Sequence, residues 1–155
     1  LPNLRLGRRM ALDFGVARIG VAVSSADGLI CTPLTTVVND SDAISRVLAL
    51  ISEQEPIEVY VGLPLNLQGN RTASTDSAIA FARSLSSGQV AGLRLVDERM
   101  STRAAQIQLH SSGKTSRQSK AFIDAAAATL ILESALALEN STGRIPGHEI
   151  AEFDE

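Results

Sequence analysis

Short apolar runs rich in β-formers give way to helical periodicity along the chain, and the change of period organises it. Residues 9–15 (RMALDFG) and 18–24 (RIGVAVS) are two such runs, separated by a few turn-like residues. Residues 29–38 (LICTPLTTVV) follow the hairpin-turn signal Ala26-Asp27-Gly28. Pro33 suits an edge or irregular position there, since proline has no N–H for a ladder. The three runs predict an antiparallel meander. After the capping cluster Asn39-Asp40-Ser41, residues Ile44, Val47, Leu48 and Ile51 share one helix face, and Pro56 closes that helix. Residues 57–62 (IEVYVG) predict a buried strand, followed by the polar loop LPLNLQGNRT and a second helix over 73–85. Residues 93–97 (LRLVD) predict a fifth strand, Ser101-Thr102 cap a short helix ending near Gly113, and the last helix spans 119–139. The order βββ-α-β-α-β-α-α predicts an α/β domain over residues 1–139, a mixed five-stranded sheet with helices packed on it. Residues 140–155 read as a polar, acidic tail, expected to be disordered.

Composition narrows the class. The 155 residues are 45% hydrophobic, enough for a real core and against wholesale disorder. No apolar run approaches the ~18–20 residues of a membrane span. The opening LPNLRLGRRM lacks the charged-then-apolar pattern of a secretion signal, and the lone Cys31 cannot form an intrachain disulfide. A cytoplasmic protein without membrane attachment is expected.

The net charge of −3 hides an uneven distribution. Glu149, Glu152, Asp154 and Glu155 crowd the C-terminus, whereas Arg94, Arg99, Arg103, Lys114, Arg117 and Lys120 face only Asp97 and Glu98 in their stretch. That stretch predicts either a solvated helix face and loop or a basic surface for phosphates, with Arg99, Lys114, Arg117 and Lys120 as contacts.

Three acids stand where folding alone does not require them. Asp13 interrupts an apolar strand, where an unpaired carboxylate is costly. Glu98 directly follows a strand, at the end where parallel sheets bind ligands. Alternation along that strand lets at most one of Asp97 and Glu98 enter a site. Asp124 precedes four alanines, whose small side chains let a helix approach the sheet closely. Each acid also has a plainer reading: Asp13 opening the turn at Gly15, Glu98 at a helix entry, Asp124 as the N-cap of the alanine-rich helix. Converging on one sheet edge, the three would instead suit one or two Mg²⁺ or Mn²⁺ ions, which take carboxylate oxygens and leave positions for phosphate. The loop from Gly62 to Arg71, between a strand and a helix, is a setting for backbone amides and Arg71 to meet phosphate. His110 and His148 lack metal-ligand spacing. Asp13-Phe14-Gly15 spells a kinase motif without the rest of that signature set.

Four segments, DFGVARIGVAVS (13–24), VGLPLNLQG (61–69), DERMST (97–102) and IDAAAA (123–128), resemble in order the signatures of the YqgF/RuvX family. Its members are described as pre-16S ribosomal RNA nucleases and as Holliday-junction-resolvase-like. The resemblance spans most of residues 9–139 and implies an RNase H-like fold, in agreement with the element order. It implies a metal-dependent nuclease hydrolysing phosphodiester bonds in 5′-end processing of pre-16S rRNA, with its acids on Asp13, Glu98 and Asp124. Structured RNA and ribosomal precursor particles are the implied partners of a monomer or weak homodimer. Arg18 and the Gly62–Gly69 loop, with Asn66 in it, match family positions that face nucleic acid. Ala11 stands where the family often has glycine, Ser25 where a second aspartate often follows, and Met100 for a usual leucine; residues 114–120 are less basic than in many members.

Three other readings compete. A resolvase cutting branched DNA needs two active sites and hence a dimer. A non-catalytic RNA-binding ribosome-assembly factor would keep the fold, although 3% aromatic residues disfavour binding single strands by base stacking. A sugar-kinase or actin-like ATPase would need two such domains, and this chain supplies one.

Overall fold

The computed structural model describes residues 3–88, 90, 92–99 and 116–154, and for 116–124 the course of the helix without side chains. Strands β1 (Arg9–Phe14), β2 (Arg18–Ser24), β3 (Cys31–Val38), β4 (Glu58–Leu63) and β5 (Leu93–Asp97) form one sheet in the order β3-β2-β1-β4-β5. The meander β1-β2-β3 is antiparallel, β4 runs parallel to β1, and β5 runs parallel to β4. Pro33 sits on the outer strand at the irregularity where the β2–β3 register shifts between Val21 and Ala22.

Strand alternation assigns the two faces. Met10, Leu12, Val59, Val61, Leu63 and Leu95 pack with helices α1 (Ala43–Gln54) and α2 (Ala73–Ser86). Ala11, Ala22, Tyr60 and Val96 point the other way, onto Ala128, Ile131, Leu132, Ala135 and Leu136 of helix α3 (Ser116–Thr142). The buried alanines let α3 settle directly on β1, β2 and β3. β4, covered on both faces, is buried along its whole length, as a central parallel strand must be. Cys31 is half-buried on the edge strand β3.

A charged cluster closes the end of the sheet opposite Asp13. Glu139, in the last turns of α3, accepts from the fully buried Arg9 at 2.6 Å and from Arg5 at 2.5 Å. Arg5 also pairs with Glu58 at 2.7 Å, to which Tyr60 donates its hydroxyl proton at 2.8 Å. Burial alone would raise the Glu139 carboxyl; the hydrogen bonds from Arg5 and the charges of Arg9 and Arg5 more than reverse this and hold it below its usual range. The cluster ties the N-terminal segment to the end of α3.

Several expectations are corrected here. The cluster Asn39-Asp40-Ser41 does not supply the cap of α1. Asp42 holds that position without a side-chain cap bond, because Asp40 has turned to accept the Asp42 N–H at 2.9 Å and to pair with Arg46 at 3.1 Å. α3 begins at Ser116, so Asp124 lies two turns inside the helix and cannot be its N-cap. The short helix expected before Gly113 lies outside the described residues. Residues 143–154 are not a disordered tail. His148 exchanges two backbone hydrogen bonds of 2.8 Å with Leu95, and Arg94 donates to the carbonyls of Pro146 at 3.0 Å and Gly147 at 2.7 Å. Ile150 and Phe153, in a short 3₁₀ turn (Ile150–Phe153), pack against the α1–α2 side of the core. The average polarity of the segment conceals these apolar anchors. Among the described residues no helix is long and apolar enough to cross a membrane.

Candidate active site

Asp13 is the last-but-one residue of β1, half-buried and paired in register with Gly20 of β2. Counting by twos from Ala11 places it on the α3 face. The same count places Gly62 of β4, two beyond Tyr60, and Glu98, two beyond Val96, on that face. Three adjacent strands therefore bring Asp13, Gly62 and Glu98 to one edge. Gly62 makes their meeting possible, because a Cβ there would collide with Glu98 Oε2 and lie 2.7 Å from Ile131 Cδ1. With only hydrogen at that position, the Glu98 carboxylate reaches over β4 to Asp13.

The electrostatics follow from this contact. Burial first, then the charge of Asp13, a hydrogen bond with Asp13 and the charge of Asp97, push the Glu98 carboxyl up to about 8. Glu98 Oε2 is buried and has no hydrogen-bond partner among the described residues. Two carboxylates so close together favour either a retained proton or a cation between them.

Asp97 points to the opposite face, as alternation requires, and engages Arg99. It accepts from the Arg99 backbone N–H at 3.1 Å, from Nε at 2.9 Å and from Nη2 at 2.6 Å. Burial raises the Asp97 carboxyl, and the bonds from Arg99 more than offset that, leaving it below its usual range.

The remaining candidates are placed as follows. Asp124 falls inside α3, four residues before Ala128 and seven before Ile131, in helical register with the stripe that meets the sheet. Its side chain lies outside the described residues, as do those of Arg117 and Lys120; Lys114 lies outside them altogether. Among the described residues no group of three His, Cys, Asp or Glu could hold a metal ion. Arg18 opens β2 at the Asp13 edge, directly after the turn closed by the Gly15 N–H on the Arg18 carbonyl at 2.9 Å. Asn66 braces its own loop, its side-chain oxygen accepting from the Gln68 and Asn70 N–H groups at 3.0 and 2.9 Å. Arg71 donates to Asp76 Oδ1 from Nε at 3.1 Å and Nη2 at 2.7 Å. The loop ends at a capping box between Thr72 and Thr75, and Thr75 also donates to the Pro64 carbonyl.

Sequence reasoning missed the role of Gly62. Its signal was present, an isolated glycine in an otherwise apolar strand, which marks a close approach of another group. The partnership of Asp97 with Arg99 was missed too, because adjacency alone does not say which way either side chain turns.

Comparison with known proteins identifies relatives of this chain. The model of the RuvX family, described as Holliday junction resolvase, matches residues 7–138. A protein of Clavibacter michiganensis subsp. michiganensis named "Putative pre-16S rRNA nuclease" is 49% identical over 147 residues, covering 93% of this chain and 91% of that protein. A protein of the same name from Leifsonia xyli subsp. xyli is 44% identical over 149 residues, covering 95% and 96%. Among solved structures, T. thermophilus RuvC in complex with a Holliday junction substrate is similar with a TM-score of 0.55, over 87% of this chain and 96% of that one. At 15% identity that likeness shows the fold, which is the RNase H-like α/β architecture expected from the resemblance. The matched residues carry all five strands, the Gly62 notch and both carboxylates that meet over it, and on this ground the chain belongs to the RuvX family.

Proposed function

We propose that the chain is a metal-dependent nuclease that hydrolyses phosphodiester bonds, acting in the cytoplasm in maturation of the small-subunit ribosomal RNA precursor. One observation carries this reading: Asp13 and Glu98, from different strands, press together over Gly62, with Glu98 Oε2 buried and without a hydrogen-bond partner among the described residues. A buried pair of like charges opposes folding, so the contact suits a site built for a cation. Its hard oxygen donors fit Mg²⁺ or Mn²⁺; Asp13 and Glu98 would hold the ion, with Asp124 of α3 as third carboxylate. When bound, such an ion supplies Lewis-acid stabilisation at the phosphoryl oxygens and lowers the pKa of water.

The chain's own residues supply the rest. Gly62 keeps the passage for Glu98 open, and the loop braced by Asn66 brings Gly69 against Arg99. Arg18, Arg99, Lys114, Arg117 and Lys120 supply the positive charge for a phosphodiester backbone. The names of the relatives support pre-16S rRNA as substrate. Branched DNA, which the family description favours, would require two copies of the site in a dimer.

The test is cleavage of a pre-16S rRNA 5′ fragment beside a four-way DNA junction, each with Mg²⁺ and with EDTA. Metal-dependent cleavage of the RNA is expected. Cleavage of the junction alone would overturn the RNA reading, and cleavage undiminished in EDTA would overturn the metal.

A further inference from the structure

We infer that the face of α2 between Arg71 and Arg83 is an RNA-backbone docking surface, covered in cis by the acidic C-terminal segment until RNA displaces it. The inference rests on the nuclease reading above and adds a surface outside the carboxylate site.

A groove of about 630 Å³ runs along α2, lined by Arg71, Asp76, Ile79, Arg83, Phe153 and Asp154. Arg71 stands directly before Thr72, the N-cap of α2, after the loop that follows β4. Arg83 lies in the last turn of that helix. The C-terminal segment occupies the space between them. Asp154 pairs with Arg83 at 2.8 Å, the Phe153 carbonyl accepts from Arg83 Nη2 at 3.2 Å, and the Arg71 guanidinium carbon lies 5.9 Å from the centre of the Phe153 ring. Carboxylate and aromatic ring thus sit where a phosphate and a sugar or base would sit along a nucleic-acid strand.

Two features make the cover exchangeable. The segment is anchored by the Leu95–His148 bridge, by Arg94 on the Pro146 and Gly147 carbonyls and by Ile150 and Phe153 against the core, so the Asp154 side chain can leave Arg83 without the rest unfolding. The contacts to be surrendered are exposed: Arg83 and Asp154 keep 46% and 59% of their side-chain surface in water. Ion pairs of that kind are weak and screened by salt, whereas a phosphate contact releases counterions and gains from it. Asp154 therefore acts as a weak competitor that a phosphate backbone can displace.

The test measures binding of a labelled RNA duplex to the full chain by fluorescence anisotropy, in EDTA and across a KCl series, so that cleavage plays no part. Asp154→Asn should bind about two- to five-fold more tightly, the size of a weak exposed pair, and steepen the log–log salt slope by roughly 0.7–0.9 for one phosphate gained. Arg83→Gln should weaken binding, and Asp154→Asn should give no gain in that background. Glu53→Gln, which removes one negative charge at the far end of α1, is the control. Equal gains from Asp154→Asn and Glu53→Gln would reduce the effect to net charge and overturn the surface. So would an unchanged salt slope, a gain seen only with a DNA duplex, or no RNA binding by any variant. If the Asp154→Asn gain appears while no metal supports cleavage, the nuclease reading fails and the docking surface stands.

Discussion

Substituting Gly62 by alanine tests the central geometric claim with one methyl group. The new Cβ would overlap Glu98 Oε2 and approach Ile131 Cδ1 to 2.7 Å, where ordinary contact begins at 3.4 Å. Ile131 is fully buried against the sheet and can give little ground, so the glutamate must retreat. Overpacking of this kind costs about 1–3 kcal/mol, and replacing glycine in a strand interior returns about 0.5–1 kcal/mol. Relief of the contact with Asp13 adds a further gain in metal-free protein. The net change in stability is therefore small, a few degrees of melting temperature at most. Activity should respond far more strongly, because displacing a reacting group by about 1 Å can cost on the order of 100-fold in rate. The assay pairs a thermal melt with single-turnover cleavage of the pre-16S fragment under saturating Mg²⁺. A folded Gly62→Ala protein that cleaves at the wild-type rate would refute the claim that Glu98 works from across β4.

Three further outcomes are expected. Asp13→Asn should abolish metal-dependent cleavage while leaving metal-free stability unchanged or raised, since it removes one of two facing charges; full activity in the purified variant would take Asp13 out of the mechanism. Asp124→Asn should likewise cripple cleavage and leave the metal-free melt nearly unchanged, because its position inside α3 leaves no capping role to lose; Asp124→Asn with normal turnover would leave the site with two carboxylates. Glu139→Gln should cost about 3–5 kcal/mol by leaving the buried Arg9 without its counter-ion. Because the Glu139 carboxyl is held low in the fold, its stabilisation is complete above the ordinary value of 4.5 and is lost as pH falls through the lower folded value. The variant's melting temperature should therefore decline less steeply than wild type below about pH 4.5, and parallel curves would count against the cluster.

What the amino-acid order determined by itself was local. Ile44, Val47, Leu48 and Ile51 declare a helix face, RIGVAVS a strand, and Pro33 an edge, because steric preference and side-chain periodicity act over a few residues. The same local logic set Asp13 apart within an apolar strand, placed Glu98 at a strand end and allowed only one of Asp97 and Glu98 into a site. Tertiary structure decided which distant groups meet. Gly62 became the passage between the two acids only once β4 had inserted beside β1 and β5 beside β4, a strand order that alternation does not encode. Arg99 turned back onto Asp97, and Arg71 onto Asp76, because those carboxylates were the nearest partners once the chain had turned. Arg9 found Glu139, and Ile150 and Phe153 found the core, only after α3 and the C-terminal segment had docked on opposite faces of the sheet. The Asp13–Glu98 and Arg9–Glu139 contacts join residues tens to more than a hundred positions apart, and their energies depend on burial that does not exist until the sheet is assembled.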